Sequence, residues 1–251
     1  MFYLIGAGLK PEQLTVEAIS ALKKCDEVFM ERYTSAFSTG ELEELETLTG
    51  KKVKELDRPE VETGFSKRLA RAIEKNIALL VIGNPLFATT HTQLLIDAER
   101  LGAQWSVVPG ISVQNYLGKT GLNAYKFGRV VSIVSPSENY KPESFYDNIK
   151  ANLEAGLHTL CLLDITPMKK MTPRDALTLL LEIESKRSDK TIREAKIVVL
   201  AALGSEEERT VSGRAEKLLW LDFPLPASLI VCSKLNEKEE EALAELTEEI
   251  P

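Results

Sequence analysis

Four segments of the sequence are rich in glycine, in proline or in polar side chains, and each follows a short apolar run typical of a β-strand. They are Gly6–Leu9, Glu31–Ser35, Gly83–His91 and Pro109–Val113. In open α/β sheets, small ligands bind beyond the carboxyl ends of the strands. Backbone amides and hydrogen-bonding side chains at these positions would therefore suit a small-molecule site.

The first segment has the start of a glycine-rich turn that could bind a dinucleotide. Gly6 and Gly8 follow a strand, but the third glycine would fall at position 11, which is Pro11, and the next helix begins only after Leu14. A pyrophosphate could not lie on that helix end in the usual way, so an ordinary dinucleotide site is not expected. Either the glycines only form a tight turn, or they let the backbone approach a different ligand.

The other three segments also have structural alternatives. Gly83-Asn84-Pro85 predicts only a turn when taken alone, and His91 is either a polar residue at a helix start or a catalytic group. Ser112 either caps a helix or meets a ligand carboxylate at the helix N-terminus. The second segment is either a polar loop or a substrate-facing lip, in which case its substrate-facing residues are Tyr33, Thr34 and Ser35.

Composition excludes several classes of protein. The 251 residues carry a net charge of -7 without a basic tract, which disfavours binding to nucleic acid. Cys25, Cys161 and Cys232 lack metal-ligand spacing and are expected to be buried thiols in a reducing compartment, and no metal site is expected. No signal peptide or membrane-spanning apolar run is apparent, so we expect a cytoplasmic protein without a membrane partner.

Strand and helix patterns alternate along the chain, which predicts an α/β fold with mainly parallel sheets and helices on both faces. We place a domain boundary near residue 110, with one α/β domain over residues 1–110 and a second over residues 111–251. The predicted strands are 2–5, 27–30, 77–82, 105–108, 129–134, 159–163, 197–202 and 229–232, and the predicted helices are 15–24, 41–48, 59–75, 90–101, 142–155, 172–186 and 237–248.

Taken in order, these segments resemble the tetrapyrrole-methylase superfamily of S-adenosyl-L-methionine-dependent enzymes. The resemblance begins with GAGL at residues 6–9, EVFMERYTS at 27–35 and GNPLFATTH at 83–91. TGLNAYKFGR at 120–129, LLDI at 162–165 and LGS at 203–205 continue it. Each motif is weak alone, but the ordered set covers essentially the whole chain.

The resemblance implies a fold, a cofactor and partners. The fold would be two α/β domains with S-adenosyl-L-methionine bound in the cleft between them, and the enzyme would be a homodimer. The ERYTS and ATTH segments are most similar to the branch of the superfamily that acts in diphthamide biosynthesis. That branch methylates the amino group of 2-(3-amino-3-carboxypropyl)histidine on translation elongation factor 2, repeatedly, to give a trimethylated product.

The resemblance also assigns the cofactor-binding residues, one position at a time: Leu9, Asn84, Phe87, Ser112, Val113, Leu163, Leu203 and Asn236. Two of them depart from the family, which usually has aspartate at position 84 and histidine at position 236. Asparagine keeps hydrogen-bonding capacity at both positions, so we expect cofactor binding to survive, and the departures leave room for altered specificity.

The sulfonium of the cofactor already activates the methyl group, so the protein must mainly bind and orient the reactants. The attacking amine must be neutral, and its proton goes to a base or to water. The candidate bases are Glu31, His91 and Asp164, each of which could instead be structural.

Three other functions stay open. A methylase of the same superfamily could act on a tetrapyrrole or RNA; a tetrapyrrole enzyme would need a basic cleft, for which Lys169, Lys170 and Arg174 are the only tight cluster near a predicted site. Asn84 and Asn236 would also suit a cofactor-binding relative without activity. A nicotinamide-dependent oxidoreductase is disfavoured by Pro11.

Overall fold

A computed structural model describes residues 1–166 and 168–250 of the chain. The chain divides into two compact units, Met1–Gln114 and the part from Asn115 onward. In the described residues, each unit contains one main β-sheet with helices packed on it. The predicted domain limits, 1–110 and 111–251, stay a prediction.

The first unit alternates strands and helices. In chain order its elements are β1 (Phe2–Gly6), α1 (Val16–Lys23), β2 (Glu27–Glu31), α2 (Leu42–Thr49), β3 (Val53–Leu56), α3 (Arg58–Glu62), α4 (Ser66–Arg71), β4 (Ile77–Val81), α5 (Thr92–Arg100) and β5 (Trp105–Val108). A 3-10 turn at Pro11–Gln13 precedes α1, whose N-terminus is capped by the Thr15 side chain.

The first sheet is parallel throughout and has the strand order β3-β2-β4-β1-β5. Its central strand β4 is buried along its whole length, as a strand covered on both faces requires. Alternate residues of β4 feed two separate apolar clusters, with Leu79 in one and Leu80 in the other. The two faces of the sheet are therefore both packed.

The second unit begins within a short helix and continues as a second α/β arrangement. Its elements are α6 (Val113–Tyr116, which contains the division), β6 (Val131–Ile133), α7 (Ser144–Glu154), β7 (Thr159–Leu163), α8 (Pro173–Arg187), α9 (Thr191–Glu194), β8 (Lys196–Ala201), β9 (Arg209–Arg214), α10 (Ala215–Leu218), β10 (Ala227–Cys232), α11 (Glu237–Leu246) and β11 (Glu248–Ile250).

The second sheet corrects part of the predicted fold, because it is mixed rather than mainly parallel. Its order is β11-β9-β8-β10-β7-β6, and β10 runs antiparallel to both β7 and β8, as β9 does to β8. The segment between β8 and β9 is too short for the crossover that a parallel neighbour needs, so the two strands form a hairpin. The α/β class itself and the parallel first sheet agree with the prediction.

Local predictions failed where one signal covered two elements. The single helix predicted over residues 59–75 is two helices, α3 and α4, separated at Thr63–Phe65. Gly64 lies in this break, and a Cβ there would lie 3.1 Å from the Glu60 carbonyl oxygen. The helix predicted over 237–248 ends at Leu246, and β11 follows it. The strands β3, β9 and β11 were missed because they are short or rich in charged residues.

The three cysteines are buried and free, as predicted. Burial raises the pKa of the Cys25 thiol to about 11, so this thiol stays protonated near neutral pH. In the described part of the chain, no helix combines the length and apolar character that a membrane crossing requires.

Candidate functional site

The carboxyl edge of the first sheet brings together the segments singled out in the sequence. The strands β2, β4, β1 and β5 are consecutive neighbours and run in one direction, so the segments that follow them lie along one edge. The helix α5 also begins at this edge, after the loop that follows β4. This is the place where open α/β sheets bind their ligands.

Three glycines let the backbone of these segments meet at very short range. A Cβ on Gly6 would lie 2.4 Å from the Gly110 nitrogen, and a Cβ on Gly110 would lie 2.3 Å from the Gly83 carbonyl oxygen. The Gly83 N–H donates to the Gly8 carbonyl oxygen at 2.8 Å, and both residues have a positive φ. The glycines of the first segment therefore serve close backbone packing as well as a tight turn.

The loops after β1 and β4 are held by their own side chains. The Leu9 N–H donates to Gln13 Oε1 at 2.8 Å, which fixes the turn that replaces a dinucleotide-type helix start. Asn84 Oδ1 accepts the Leu86 N–H at 3.1 Å, and the Phe87 N–H donates to the Asn84 carbonyl oxygen at 3.2 Å. The Asn84 side chain thus shapes its loop through its oxygen and presents its Nδ2 group as a donor.

Ser112 and Val113 lie just beyond β5 at the same edge. Ser112 is buried, and a Cβ on Gly83 would lie 3.6 Å from the Ser112 Cβ, so the two loops are in contact distance. Val113 begins α6, which is only four residues long. The close approach of the loops after β4 and β5, which also brings the glycines together, therefore determines the position of Ser112.

A buried carboxylate lies at the end of β2. Glu31 is completely buried, and its Oε1 accepts the Thr34 hydroxyl at 2.6 Å while its Oε2 accepts the Thr34 N–H at 3.3 Å. Thr34 therefore closes the turn back onto Glu31, and the turn fixes the neighbouring Tyr33 and Ser35. Burying a carboxylate is costly unless its oxygens accept hydrogen bonds, which is what Thr34 provides.

Replacement of Thr34 by valine is expected to lower the free energy of unfolding by about 1–3 kcal/mol, because it removes the hydroxyl donor to a buried carboxylate. Thr34→Ser is the matched control, since it keeps the hydroxyl. Urea unfolding of the two variants would measure the difference. Equal midpoints for the valine and serine variants would contradict the role of this hydrogen bond.

Tyr33 and His91 are buried at the same edge, and both respond to the Glu31 carboxylate. Burial raises the pKa of Tyr33, and the carboxylates of Glu31 and Glu62 raise it further. Burial lowers the pKa of His91. The lowering is partly offset by the Glu31 carboxylate, by a hydrogen bond with the Pro85 carbonyl and by the Glu62 carboxylate. His91 is therefore neutral near pH 7, and among the described residues no partner reaches its Nδ1 atom.

The second sheet carries the remaining predicted residues at its own edge. Leu163 ends β7, Leu203 follows β8, and these two strands run in the same direction because both are antiparallel to β10. Asp164 Oδ2 accepts the Ser135 N–H at 3.1 Å, so this carboxylate joins the segments after β6 and β7. Leu163, Asp164 and Leu203 thus share one edge of the second sheet.

Asn236 is separated from Leu163 and Leu203 by the direction of β10. Because β10 is antiparallel, its carboxyl end lies beside Lys196 at the start of β8, at the opposite edge of the sheet. Asn236 Oδ1 also accepts the Glu239 N–H at 3.0 Å and caps α11. The structure therefore places Asn236 in a helix cap, away from the edge that holds the other predicted residues of this unit.

The segment before β10 lies at the edge of the second sheet that holds Leu163 and Leu203. Ala227 pairs with Ala201, and the Ala202 N–H donates to the Pro226 carbonyl oxygen at 2.9 Å. Sequence reasoning missed this segment because it looked for ligand-binding residues after strands, which suits a mainly parallel sheet. The two prolines in Phe223-Pro224-Leu225-Pro226 were the available signal, since they mark a constrained loop entering a strand.

A buried polar cluster holds the opposite edge of the second sheet together. His158 Nδ1 accepts the Ser233 N–H at 3.1 Å, so the ring proton is on Nε2, which donates to Glu239 Oε1 at 3.0 Å. Lys126 Nζ donates to Glu239 Oε2 at 2.6 Å. Burial lowers the pKa of His158, so its ring is neutral. The negative charge of Glu239 is therefore compensated by the positive charge of Lys126.

Polar loops and close backbone contacts thus lie at the carboxyl edge of a parallel sheet, which is the edge at which open α/β sheets bind small ligands. A profile of the family described as tetrapyrrole (corrin/porphyrin) methylases matches residues 1–219. A diphthine synthase of Methanocaldococcus jannaschii is 39% identical over 257 residues, covering 100% of both chains. A protein of Arabidopsis thaliana described as a diphthine methyl ester synthase is 38% identical over 97% of each chain. A solved diphthine synthase structure superposes with a TM-score of 0.87 at 31% identity, covering 100% of this chain and 97% of that one.

The chain belongs to the tetrapyrrole methylase family. It is a methyltransferase, and its α/β fold is the fold of the solved diphthine synthase. The resemblance and the enzyme class predicted from the ordered motifs are thereby confirmed. The assignments of individual site residues stay predictions, which the positions described above support or, for Asn236, weaken.

Proposed function

We propose that this protein works as a diphthine synthase, a methyltransferase of diphthamide biosynthesis. Its substrate is the amino group of 2-(3-amino-3-carboxypropyl)histidine on translation elongation factor 2. The observation that carries the proposal is similarity over the full length of a diphthine synthase, at 39% identity. The positions of the ERYTS and ATTH segments support it, because both lie at the carboxyl edge of the first sheet.

The proposed methyl donor is S-adenosylmethionine, whose sulfonium supplies the transferable methyl group. The first unit fits such a ligand, because Gly6, Gly83 and Gly110 leave backbone without side chains at the edge. We propose that a ligand there is held by backbone groups and side chains of the first unit: Leu9, Asn84, Phe87, Ser112 and Val113. For Leu163 and Leu203, in the second unit, we keep the cofactor-binding role that the resemblance assigns to them.

The acceptor amine is proposed to lie beside Tyr33, Thr34 and Ser35. Among the three candidate bases, Glu31 already accepts two hydrogen bonds from Thr34, and Asp164 accepts one from Ser135. His91 is the candidate with an acceptor atom, Nδ1, that has no partner among the described residues. Because the lowered pKa of His91 makes it a weak base, we propose that it orients the amine by accepting an N–H, while water takes the proton.

The partners follow from the same proposal. Elongation factor 2 is the protein substrate, and neither a nucleic acid nor a membrane takes part. We also propose a homodimer and a cytoplasmic location, both of which rest on the resemblance to the superfamily branch and on the composition of the chain.

The proposal predicts methyl transfer to one form of the factor only. The purified protein would be incubated with labelled S-adenosylmethionine and elongation factor 2 that carries the aminocarboxypropyl-histidine intermediate, with unmodified factor as the control. Label is expected only in the intermediate. Mass spectrometry of the product would count the methyl groups, which matters because the relatives are described both as diphthine synthase and as diphthine methyl ester synthase.

Two results would contradict the proposal. Equal labelling of the unmodified factor would mean a different acceptor. No labelling, despite cofactor binding measured by calorimetry, would favour the binder without activity. A tetrapyrrole substrate is disfavoured because two residues of the basic cluster named above already have acidic partners. Lys169 pairs with Asp175 at 3.1 Å, and Arg174 pairs with Asp222 at 3.1 Å.

A further inference from the structure

Two turns project from the edge of the second sheet at which β6 and β7 end. One is closed by a bridge between Ser137 and Tyr140, and the other by a bridge between Ile165 and Lys170. We call these two segments, 137–140 and 165–170 with residue 167 outside the described part, the rim turns. Because β6 and β7 are parallel neighbours, both rim turns lie at the edge that also holds Leu163.

The bases of the rim turns are fixed to each other. Asp164 accepts the Ser135 N–H through its side chain, and its own N–H donates to the Ile133 carbonyl oxygen at 3.2 Å. Its carbonyl oxygen accepts the Met171 N–H at 2.8 Å. The bonds at the bases, together with the bridges that close the turns, position both turns independently of the side chains at their tips.

The tips carry apolar side chains that contribute nothing to the core. Met168 is 97% exposed and Tyr140 is 61% exposed. Methionine and tyrosine are the kinds of side chain that act as anchors in protein interfaces, because they bury a large area and adapt to a partner. Exposed apolar side chains on fixed turns are therefore suited to contact a partner rather than to stabilise the fold.

Two lysines beside these anchors are not neutralised. Lys141 and Lys170 are exposed, and neither forms an ion pair with any residue that the structure describes. Lys169 is paired with Asp175, and Glu138 is the one carboxylate within the described residues of the rim turns. The chain has a net charge of -7, so two unpaired lysines beside exposed apolar side chains form a local positive patch that can attract a carboxylate of a partner.

We propose that the rim turns dock the protein substrate, by receiving a segment of that protein in which carboxylate side chains flank an apolar one. The inference rests on the proposed function, which requires a protein substrate whose modified side chain reaches the site. Met168 and Tyr140 contact the apolar side chain of this segment. Lys141 and Lys170 attract its carboxylates.

The test compares two charge-reversed variants of the full chain that carry the same net charge. The rim variant, Lys141→Glu/Lys170→Glu, replaces the two lysines beside the apolar anchors of the rim turns. The helix variant, Lys186→Glu/Lys217→Glu, replaces two exposed lysines on helices of the same unit. The rim variant is expected to lose roughly tenfold in kcat/KM for the elongation factor intermediate, mostly through KM. The helix variant is expected to stay within about twofold, and both are expected to bind S-adenosylmethionine as the unaltered protein does.

Salt dependence and an apolar variant give two further readouts. Raising the ionic strength is expected to lower kcat/KM of the unaltered protein more than that of the rim variant, because screening removes an attraction the variant already lacks. Tyr140→Ser/Met168→Ser is expected to raise KM with little change in kcat.

Different outcomes would contradict the docking proposal alone and the proposed function. Transfer by the unaltered protein with equal kcat/KM for the rim and helix variants would overturn the docking and leave the proposed function standing. Equal losses in the two variants would point to general charge repulsion and also overturn it. No transfer by the unaltered protein would overturn the proposed function and the docking with it.

Discussion

Replacement of Gly110 by alanine is expected to lower the free energy of unfolding of the first unit by about 3 kcal/mol, or to prevent folding. The added Cβ would lie 2.3 Å from the Gly83 carbonyl oxygen and 2.7 Å from the Gly6 carbonyl carbon. Both obstacles are backbone atoms, one at the end of β1 and one in the loop after β4, so no side chain can move aside. The loops that follow β1, β4 and β5 would separate, and ligand binding at their edge would be lost with them.

Calorimetry would measure this effect as a fall in Tm of roughly 6–12 °C, at about 2–4 °C per kcal/mol for a chain of this size. Two controls separate the causes. Gly50→Ala meets no atom within 4 Å but has a φ of 68°, so backbone strain alone should cost about 1–2 kcal/mol. Gly118→Ala has neither a close atom nor a positive φ and should be neutral. A Gly110→Ala protein as stable as the Gly118→Ala protein would refute the close packing.

Replacement of Glu239 by alanine is expected to lower the free energy of unfolding by about 3–5 kcal/mol, because it leaves the part-buried Lys126 ammonium without its counter-ion and the buried His158 Nε2–H without an acceptor. The Glu239 carboxylate accepts four donors: His158 Nε2, Lys126 Nζ, and the N–H groups of Asn123 and Asn236. It therefore ties β7, the turn before β6 and the start of α11 together. The matched control is Glu240→Ala, which removes the next carboxylate of the same helix, one that is exposed and in no ion pair of the described residues.

The same carboxylate predicts how stability depends on pH. Hydrogen bonds from Lys126 and His158 outweigh the effect of burial and lower the pKa of Glu239 from 4.5 to about 2. Since the folded pKa lies below the unfolded one, the unfolded chain binds the proton more readily between these values. The stability that Glu239 contributes is complete above about pH 4.5 and is lost as the pH falls towards 2.

Urea unfolding over a pH series would test this dependence. The difference in unfolding free energy between the unaltered protein and Glu239→Ala is expected to be constant near neutral pH and to shrink below about pH 4.5. A difference that stays constant down to pH 3 would mean that the carboxylate is not held in its ionised form by these partners.

Gly6 and Asn236 show which features of a site are local in sequence and which depend on the arrangement of strands. The GxG pattern and Pro11 were enough to exclude an ordinary dinucleotide turn, because helix-start chemistry is local in sequence. That Gly6 packs on Gly83 and Gly110 could not be predicted, since it depends on which strands become neighbours. Asn236 was assigned to the cofactor from the resemblance to the family, but the antiparallel direction of β10 carries it to the edge opposite Leu163 and Leu203.

By itself, the sequence determined the α/β class, the positions of most helices and strands, and the family, because these depend on local periodicity and on the order of motifs. The tertiary structure decided which predicted residues lie together. Glu31 and His91 are about sixty residues apart in the chain, and the Glu31 carboxylate partly offsets the burial that lowers the pKa of His91 because β2 and β4 are neighbouring strands. Strand order and direction are set by packing over the whole unit, so no local signal encodes them.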